Sequence, residues 1–290
     1  MMQSAHLLST FFNKPGNVLF PGCGTGHGIV AMAKLRPDLK CYGLDLSKPS
    51  LDIAKNLAKK YGVSITLAEG NYMEPLPWDL KFDFISLQGT LHHTSNPSVA
   101  LKNVICYLND NGLIHINLYG KKYHNRRFEI IEMLDLLQKE NKSNIEERFE
   151  LFNAMQKQLK HKSPKDFLLD FSLRYIWHAL RRSYNYYKSK FSGNVISVPW
   201  HADFKQCDQL WIDQYCNPNE FTYNILETKG LIDSANLEVV EMLSLGRIKQ
   251  EDLPLIWLDK FEKLDDWDKY RIMELFYPKT YSVNLIARKK

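Results

Sequence analysis

Apolar residues in the first 120 positions cluster in short runs separated by longer stretches with helical spacing. The runs predict strands at 17–21, 40–44, 64–69, 82–87 and 113–118, and the stretches between predict helices at 28–35, 49–61 and 97–108. Ser47 followed by Lys48-Pro49 gives an N-cap with proline in the first turn, and Asn109-Asp110-Asn111-Gly112 is a turn signal ahead of the fifth strand. Beyond Tyr119-Gly120 the period-two pattern is lost for about 75 residues. Helical spacing takes over at Phe128, Ile131, Leu134 and Leu137, then at Phe149, Phe152, Met155 and Leu159, and a third helix is predicted over 165–187. Strand pattern returns at 237–243 and 280–287, with helices expected over 253–276. Alternating strands and helices of this kind fold as an α/β, doubly wound, Rossmann-like sheet. The expected division is a core at 1–120, a helical insertion or lid at 121–225, and the C-terminal part of the core sheet at 226–290.

The first strand runs into Pro21-Gly22-Cys23-Gly24-Thr25-Gly26-His27-Gly28. Glycines there permit positive φ and bring backbone N–H groups close to a ligand at a strand-to-helix turn. The second strand ends in Asp45, about 20 positions on, where a carboxylate accepts hydrogen bonds from two ribose hydroxyls. The glycine spacing is G-x-G-x-G-x-G. A dinucleotide fingerprint reads G-x-G-x-x-G, so the loop departs from the pattern expected of a nicotinamide enzyme.

That loop resembles motif I of the class I S-adenosylmethionine-dependent methyltransferases, and further segments follow in the family's order. Asp45, with Leu46 after it, matches the ribose-binding acid. Glu69-Gly70-Asn71-Tyr72 matches the segment flanking the adenine, and Phe82 to Gln88-Gly89-Thr90-Leu91-His92-His93 matches the fourth strand and its exit. Many members carry aspartate where this chain has Asn71, whose amide oxygen can also accept from the adenine amino group. Leu91 to Val104, Gly112 to Gly120 and Asn217-Pro218-Asn219-Glu220-Phe221-Thr222-Tyr223 narrow the resemblance to a bacterial subgroup, some members of which are fused to tetratricopeptide repeats. No such repeat is visible here. The resemblance implies a seven-stranded sheet whose final strand lies antiparallel beside the fifth. It also implies S-adenosylmethionine as cofactor, with S-adenosylhomocysteine as product, held by Pro21, Gly22, Cys23, Gly24, Gly26, Asp45, Leu46, Gly70, Asn71, Tyr72, Gln88 and Gly89.

Composition changes this picture little. No apolar run of 18 residues and no leader pattern is present, so no membrane span is expected and a cytoplasmic location is the default. The 5 cysteines include no C-x-x-C pair, and neither a disulfide framework nor a bound metal is expected. The net charge of +5 is uneven, since residues 121–192 hold 16 Lys plus Arg against 9 Asp plus Glu. Their densest run, 181–190, interleaves basic residues with tyrosines. That pattern suits either a nucleic-acid backbone or a solvated helix face, and the second reading is the commoner.

Methyl transfer is an in-line displacement that needs positioning, exclusion of water and, for a protonated acceptor, a base. His92 and His93 at the fourth strand's exit are the candidates for that base. Tyr119, Tyr123, Arg127, His201, Asn217 and Tyr223 are the candidate substrate contacts, Arg127 as an anchor for a carboxylate or phosphate. Asn217-Pro218 reads equally well as a turn capping a helix that starts near Glu220. The acceptor is expected to be a small molecule or a protein side chain, and the sequence commits to no oligomeric state. Two other readings stay open: a catalytically silent cofactor-binding scaffold, and an RNA-directed enzyme using the basic insertion. The tetrapeptide that enzymes methylating base amino groups place after the fourth strand is absent, the position reading Gln88-Gly89-Thr90-Leu91.

Overall fold

Seven strands form one sheet in the order β3-β2-β1-β4-β5-β7-β6. They are β1 (Gly16–Pro21), β2 (Leu39–Asp45), β3 (Thr66–Glu69), β4 (Phe82–Gln88), β5 (Leu108–Tyr119), β6 (Leu237–Met242) and β7 (Ser282–Lys289). The computed structural model describes residues 11–121, 147, 150–151, 219–244, 260–276 and 282–290. The chain separates into two units, Met1–Asn125 with Asn219–Lys290, and Arg126–Pro218. The sheet belongs to the first. The helices expected at 127–140, 145–159 and 165–187, and the N-terminal part of the 253–276 segment, lie wholly or largely outside the described residues.

β1 through β5 pair in parallel, and β7 enters antiparallel between β5 and β6. Helices α1 (His27–Leu35), α2 (Lys48–Tyr61) and α3 (Pro97–Ile105) connect the parallel strands, a single 3-10 turn covers Leu91–His93, and α4 (Ile225–Ser234) and α5 (Asp266–Phe276) flank β6. Central strands are apolar on both faces because helices cover both. Leu19, Ile85, Leu87, Ile114 and Ile116 point into one buried cluster, and Val18, Phe20, Phe84 and Ile286 into the other. Burial of an aliphatic or aromatic side chain contributes roughly 1.5–3 kcal/mol, so these rows dominate the sheet's stability.

The helix starts follow the local chemistry. Ser47 Oγ accepts from Ser50 N at 3.3 Å, with Pro49 in the first turn of α2, and Asn96 caps α3 in the same way. At α4 the cap is Asn224, in a reciprocal box with Glu227, the two bonds being 2.9 Å each. The helix therefore begins at Ile225, not near Glu220 as the Asn217-Pro218 turn suggests, because Asn224 can form the capping box.

The Asn109-Asp110-Asn111-Gly112 segment lies within β5, not ahead of it. Phe82 pairs with Leu108 and Phe84 with Leu113, so these four residues bulge from the ladder. Asp83 stabilises the bulge: its Oδ1 accepts from Asn109 Nδ2 at 2.6 Å, while Oδ2 accepts from Asn17 N at 2.9 Å.

One row of the sheet is polar, buried at Ser86 and His115 and half-buried at Asn284. Ser86, His115 and Asn284 stand on adjacent strands, with Ser86 Oγ 3.2 Å from His115 Nδ1 and His115 Nε2 2.5 Å from Asn284 Oδ1. An amide oxygen only accepts, so Nε2 carries the proton and Nδ1 accepts from the serine. Burial pushes the imidazole from 6.5 down to about 4, against the pull of the Asn284 hydrogen bond. The unfolded chain thus takes up a proton between those two values that the folded chain does not, and stability falls as the pH drops through that window. We expect about 2 kcal/mol of His115-dependent stability to be lost between pH 7 and pH 5. Urea unfolding of the native protein and His115→Gln at both pH values checks this, the variant showing the shallower pH dependence.

Candidate active site

β1 leaves the sheet at Pro21 and turns through three residues of positive φ, Gly22 (67°), Gly24 (53°) and Gly26 (81°), before α1 begins. L-residues rarely adopt that backbone region. At Gly26 a second constraint applies, since a Cβ there would lie 2.5 Å from Ala54 Cβ on α2. Gly26 lets the two helices meet. Gly24 is the opposite case: among the described residues beyond its own neighbours, no atom lies within 4 Å of where its Cβ would stand.

Asp45, at the end of β2, fixes this turn. Its Oδ2 accepts from Gly24 N at 2.7 Å and its Oδ1 from Ser47 N at 2.9 Å, while its own carbonyl accepts from Gly70 N at 3.0 Å. A carboxylate has about four acceptor positions, which leaves two for a ligand. Beside it Leu46 is 69% exposed, an apolar surface next to a charged acceptor. The Cys23 thiol is pushed up to about 12, first by burial and then by the Asp45 charge. It stays protonated and is no nucleophile. His27, opening α1, is lowered by burial, and its Nδ1 lies 3.0 Å from Thr25 Oγ1.

The β3 exit carries Gly70, Asn71 and Tyr72. Asn71 Oδ1 accepts from Met73 N at 3.0 Å, so the amide oxygen that the sequence offers to an adenine already closes a turn. Tyr72 turns its ring inward and is 8% exposed. Burial raises its phenol, the nearby Thr90 hydroxyl opposes the rise and the Asp45 charge adds to it. Among the described residues, neither Tyr72 Oη nor Thr90 Oγ1 completes a hydrogen bond of normal geometry. Thr90 also packs against the turn, its Cγ2 lying 2.8 Å from where a Gly22 Cβ would be.

At the β4 exit, Gln88 lies over the start of α1, its Oε1 3.9 Å from where a Gly28 Cβ would be, and Gly89 has φ 72° with open space at its Cβ position. The following 3-10 turn delivers His92 and His93. His92 is fully buried, with its ring centroid 3.9 Å from Tyr119 and 4.3 Å from His93, and His93 stands edge-on to Tyr119 at 5.4 Å. The ring nitrogens of both histidines are shielded from solvent.

A distant segment closes on this cluster. Phe221 N donates to the His92 carbonyl at 2.9 Å, Tyr223 N to the Tyr119 carbonyl at 2.9 Å, and Lys121 N to the Tyr223 carbonyl at 3.0 Å. Tyr223 is raised to about 12, by burial and then by Glu227, and is a hydrogen-bond donor at neutral pH. Thus His92, His93, Tyr119 and Tyr223 come together, as do the turn glycines with Pro21, Cys23 and Asp45. Tyr123, Arg127, His201 and Asn217 lie outside the described residues. Thr90 was missed by the sequence reading; only its place between the paired motifs Gln88-Gly89 and His92-His93 pointed to it.

A buried hydroxyl with only a poorly aligned neighbour gains little from its burial. Tyr72→Phe removes that group and its weak contact with the Thr90 hydroxyl, so we expect the free protein to be within about 1 kcal/mol of the native chain. Thermal unfolding with and without ligand tests this, and a loss of ligand-induced stabilisation in the variant marks the hydroxyl as a ligand contact.

Three comparisons place this geometry. The family model described as "Methyltransferase domain" matches residues 13–186. A Synechococcus protein, syc1184_c, is 23% identical over 266 residues, covering 90% of this chain and 57% of its own length. A Campylobacter jejuni carboxy-S-adenosyl-L-methionine synthase is 35% identical over 69 residues, 24% of this chain and 29% of that protein. PKMT2 from Rickettsia typhi, whose structure is also known in complex with AdoHcy, has TM-score 0.61 at 17% identity over 95% of this chain and 48% of its own. That likeness is one of fold. The chain spans about half the length of the first and last of these relatives. With the family model matching more than half of its residues, and the glycine turn, Asp45 and the β4 exit inside the match, the chain belongs to the methyltransferase-domain family.

Proposed function

We propose that this chain transfers a methyl group from S-adenosylmethionine to a small molecule or protein side chain. The observation that carries the reading is the Asp45 carboxylate, bonded to Gly24 N and Ser47 N, with acceptor positions left over beside the open Gly24 backbone and the exposed Leu46. A ligand that fits presents vicinal hydroxyls to the carboxylate and a flat apolar face to Leu46. Adenosine does both. The cofactor supplies a methyl group already activated on sulfonium.

On this reading Asp45 accepts from the ribose, Leu46 covers the adenine, and Gly70, Asn71 and Tyr72 flank it. The turn from Pro21 through Gly22, Cys23, Gly24 and Gly26 carries the methionine portion, with Gln88 and Gly89 opposite. His92 and His93 are the residues positioned to hold a proton released by the acceptor, imidazole being the side chain whose ordinary titration lies nearest neutrality. Tyr119 and Tyr223 wall the acceptor's place, and the main-chain bonds of residues 221–223 keep that wall against the histidines.

Calorimetry with S-adenosylhomocysteine and with NAD separates this function from a nicotinamide-dependent one: binding of the first and none of the second is expected. Asp45→Ala is expected to cost about 1–3 kcal/mol of S-adenosylhomocysteine affinity through loss of a charged acceptor. Unchanged affinity would remove the ribose assignment. His93→Ala and Tyr223→Phe are expected to slow turnover of an acceptor at least tenfold while leaving S-adenosylhomocysteine affinity within about twofold. An equal loss of both would move these residues into the cofactor pocket.

A further inference from the structure

The loop after β3, residues 70–76, has little regular structure of its own, yet its main chain is held from outside at successive points. Gly70 N donates to the Asp45 carbonyl at 3.0 Å. Asn103, on α3, reaches across and donates from its single amide nitrogen to two carbonyls, Tyr72 O at 2.8 Å and Glu74 O at 2.7 Å. An amide NH₂ has two hydrogens, so each carbonyl receives one and the donor is saturated. Leu76 N donates to Tyr107 Oη at 3.0 Å. Within the loop, Met73 N donates to Asn71 Oδ1 and Glu74 N to the Asn71 carbonyl, each at 3.0 Å. Asn71 therefore organises the first half of the loop internally, and Asn103 fixes where that half stands relative to the sheet.

We propose that Asn103 is a positioning residue for the cofactor's adenine, acting through the Tyr72 and Glu74 carbonyls without touching the ligand. The proposal rests on the reading of the glycine turn and Asp45 as an S-adenosylmethionine site, and adds a residue that lies outside the cofactor-binding segments. The geometry explains why an amide is needed at 103. A carboxylate of the same shape offers no hydrogen and faces two carbonyl oxygens with negative charge. A hydroxyl offers one hydrogen for two acceptors. Without the fork the loop is tethered at Gly70 and Leu76 but unpinned between them, over the stretch that carries Asn71 and Tyr72. Because α3 also follows directly on the turn bearing His92 and His93, the same helix sets the adenine loop and the β4 exit in one frame.

The test is calorimetry of the full chain with two probes, S-adenosylhomocysteine and adenosine, on the native protein, N103D and N103Q. N103D is expected to weaken both probes by the same factor, at least tenfold, since the defect lies at the end of the ligand that they share. N103Q keeps both donors and is expected to stay within about threefold of native. A purely structural role would instead lower thermal stability in proportion in both variants with no probe-specific loss. N103D binding both probes within twofold of native overturns the proposal, as does a loss for S-adenosylhomocysteine that adenosine does not share. Should circular dichroism show N103D unfolded, N103S decides on the same criteria. If the native chain binds neither probe, the cofactor reading itself fails and the proposal with it; binding by the native chain with indifferent variants removes the proposal alone.

Discussion

The hydrogen bond from Gly24 N to the Asp45 carboxylate is the contact on which the site depends. A glycine turn with three positive φ values is entropically costly to fix, and its own main chain contributes the bonds from Gly26 N to the Cys23 carbonyl and from Cys23 N to the Leu44 carbonyl, each 3.0 Å. To these the 2.7 Å bond to a charged acceptor adds a stronger one. Because the same carboxylate caps Ser47 N, and the same residue's carbonyl receives Gly70 N, one side chain and one peptide set three loops: after β1, after β2 and after β3. The parallel register of β1, β2 and β3 brings these ends together. The sheet provides the neighbourhood and Asp45 provides the order.

The polar row across β4, β5 and β7 shows a different kind of constraint. Neutral His115 takes one hydrogen bond from Ser86 and gives one to Asn284, a chain that closes only when the antiparallel strand is in register. An apolar residue in place of His115 would strand both Ser86 and Asn284, and one in place of either of those would leave one buried ring nitrogen of His115 unpaired, at roughly 1–3 kcal/mol for each buried group. The row therefore favours this register of β7 over one slipped by a single residue, which would turn Asn284 to the other face.

Much of this was legible in the chain. Strand cores such as 82–87 and 113–118 and the glycine turn followed from apolar period and glycine placement, because those patterns report burial and backbone freedom directly, and the Ser47 cap from its place before Pro49; the later motifs were read through the family resemblance. The start of β5 was misread because a turn-forming tetrapeptide also suits a bulge, and only the partner strand, through Asp83, decides between them. Asn71 was read as a ligand acceptor; one of its oxygen's two acceptor positions goes to Met73 N, a use that depends on the loop's conformation. The approach of Phe221 to His92, the Asn103 fork and the inward turn of Tyr72 leave no periodic trace, since each joins irregular main chain to something remote. Apolar spacing records the faces of elements, whereas the site is built from the loops between them.

The place of β7 has a consequence for how the chain is made. Its neighbours β5 and β6 end at Tyr119 and Met242, but neither has its partner on this side until Ser282–Lys289 has been synthesised. During translation the long β5 presents an unpaired edge while the stretch from residue 120 to 281 is added, the situation in which growing chains pair wrongly with one another. The contacts that close the sheet join positions far apart in sequence, a feature of slow folding. A nascent chain halted before β7 would already contain the glycine turn and Asp45, with β5 paired to β4 on one side and its other edge still open.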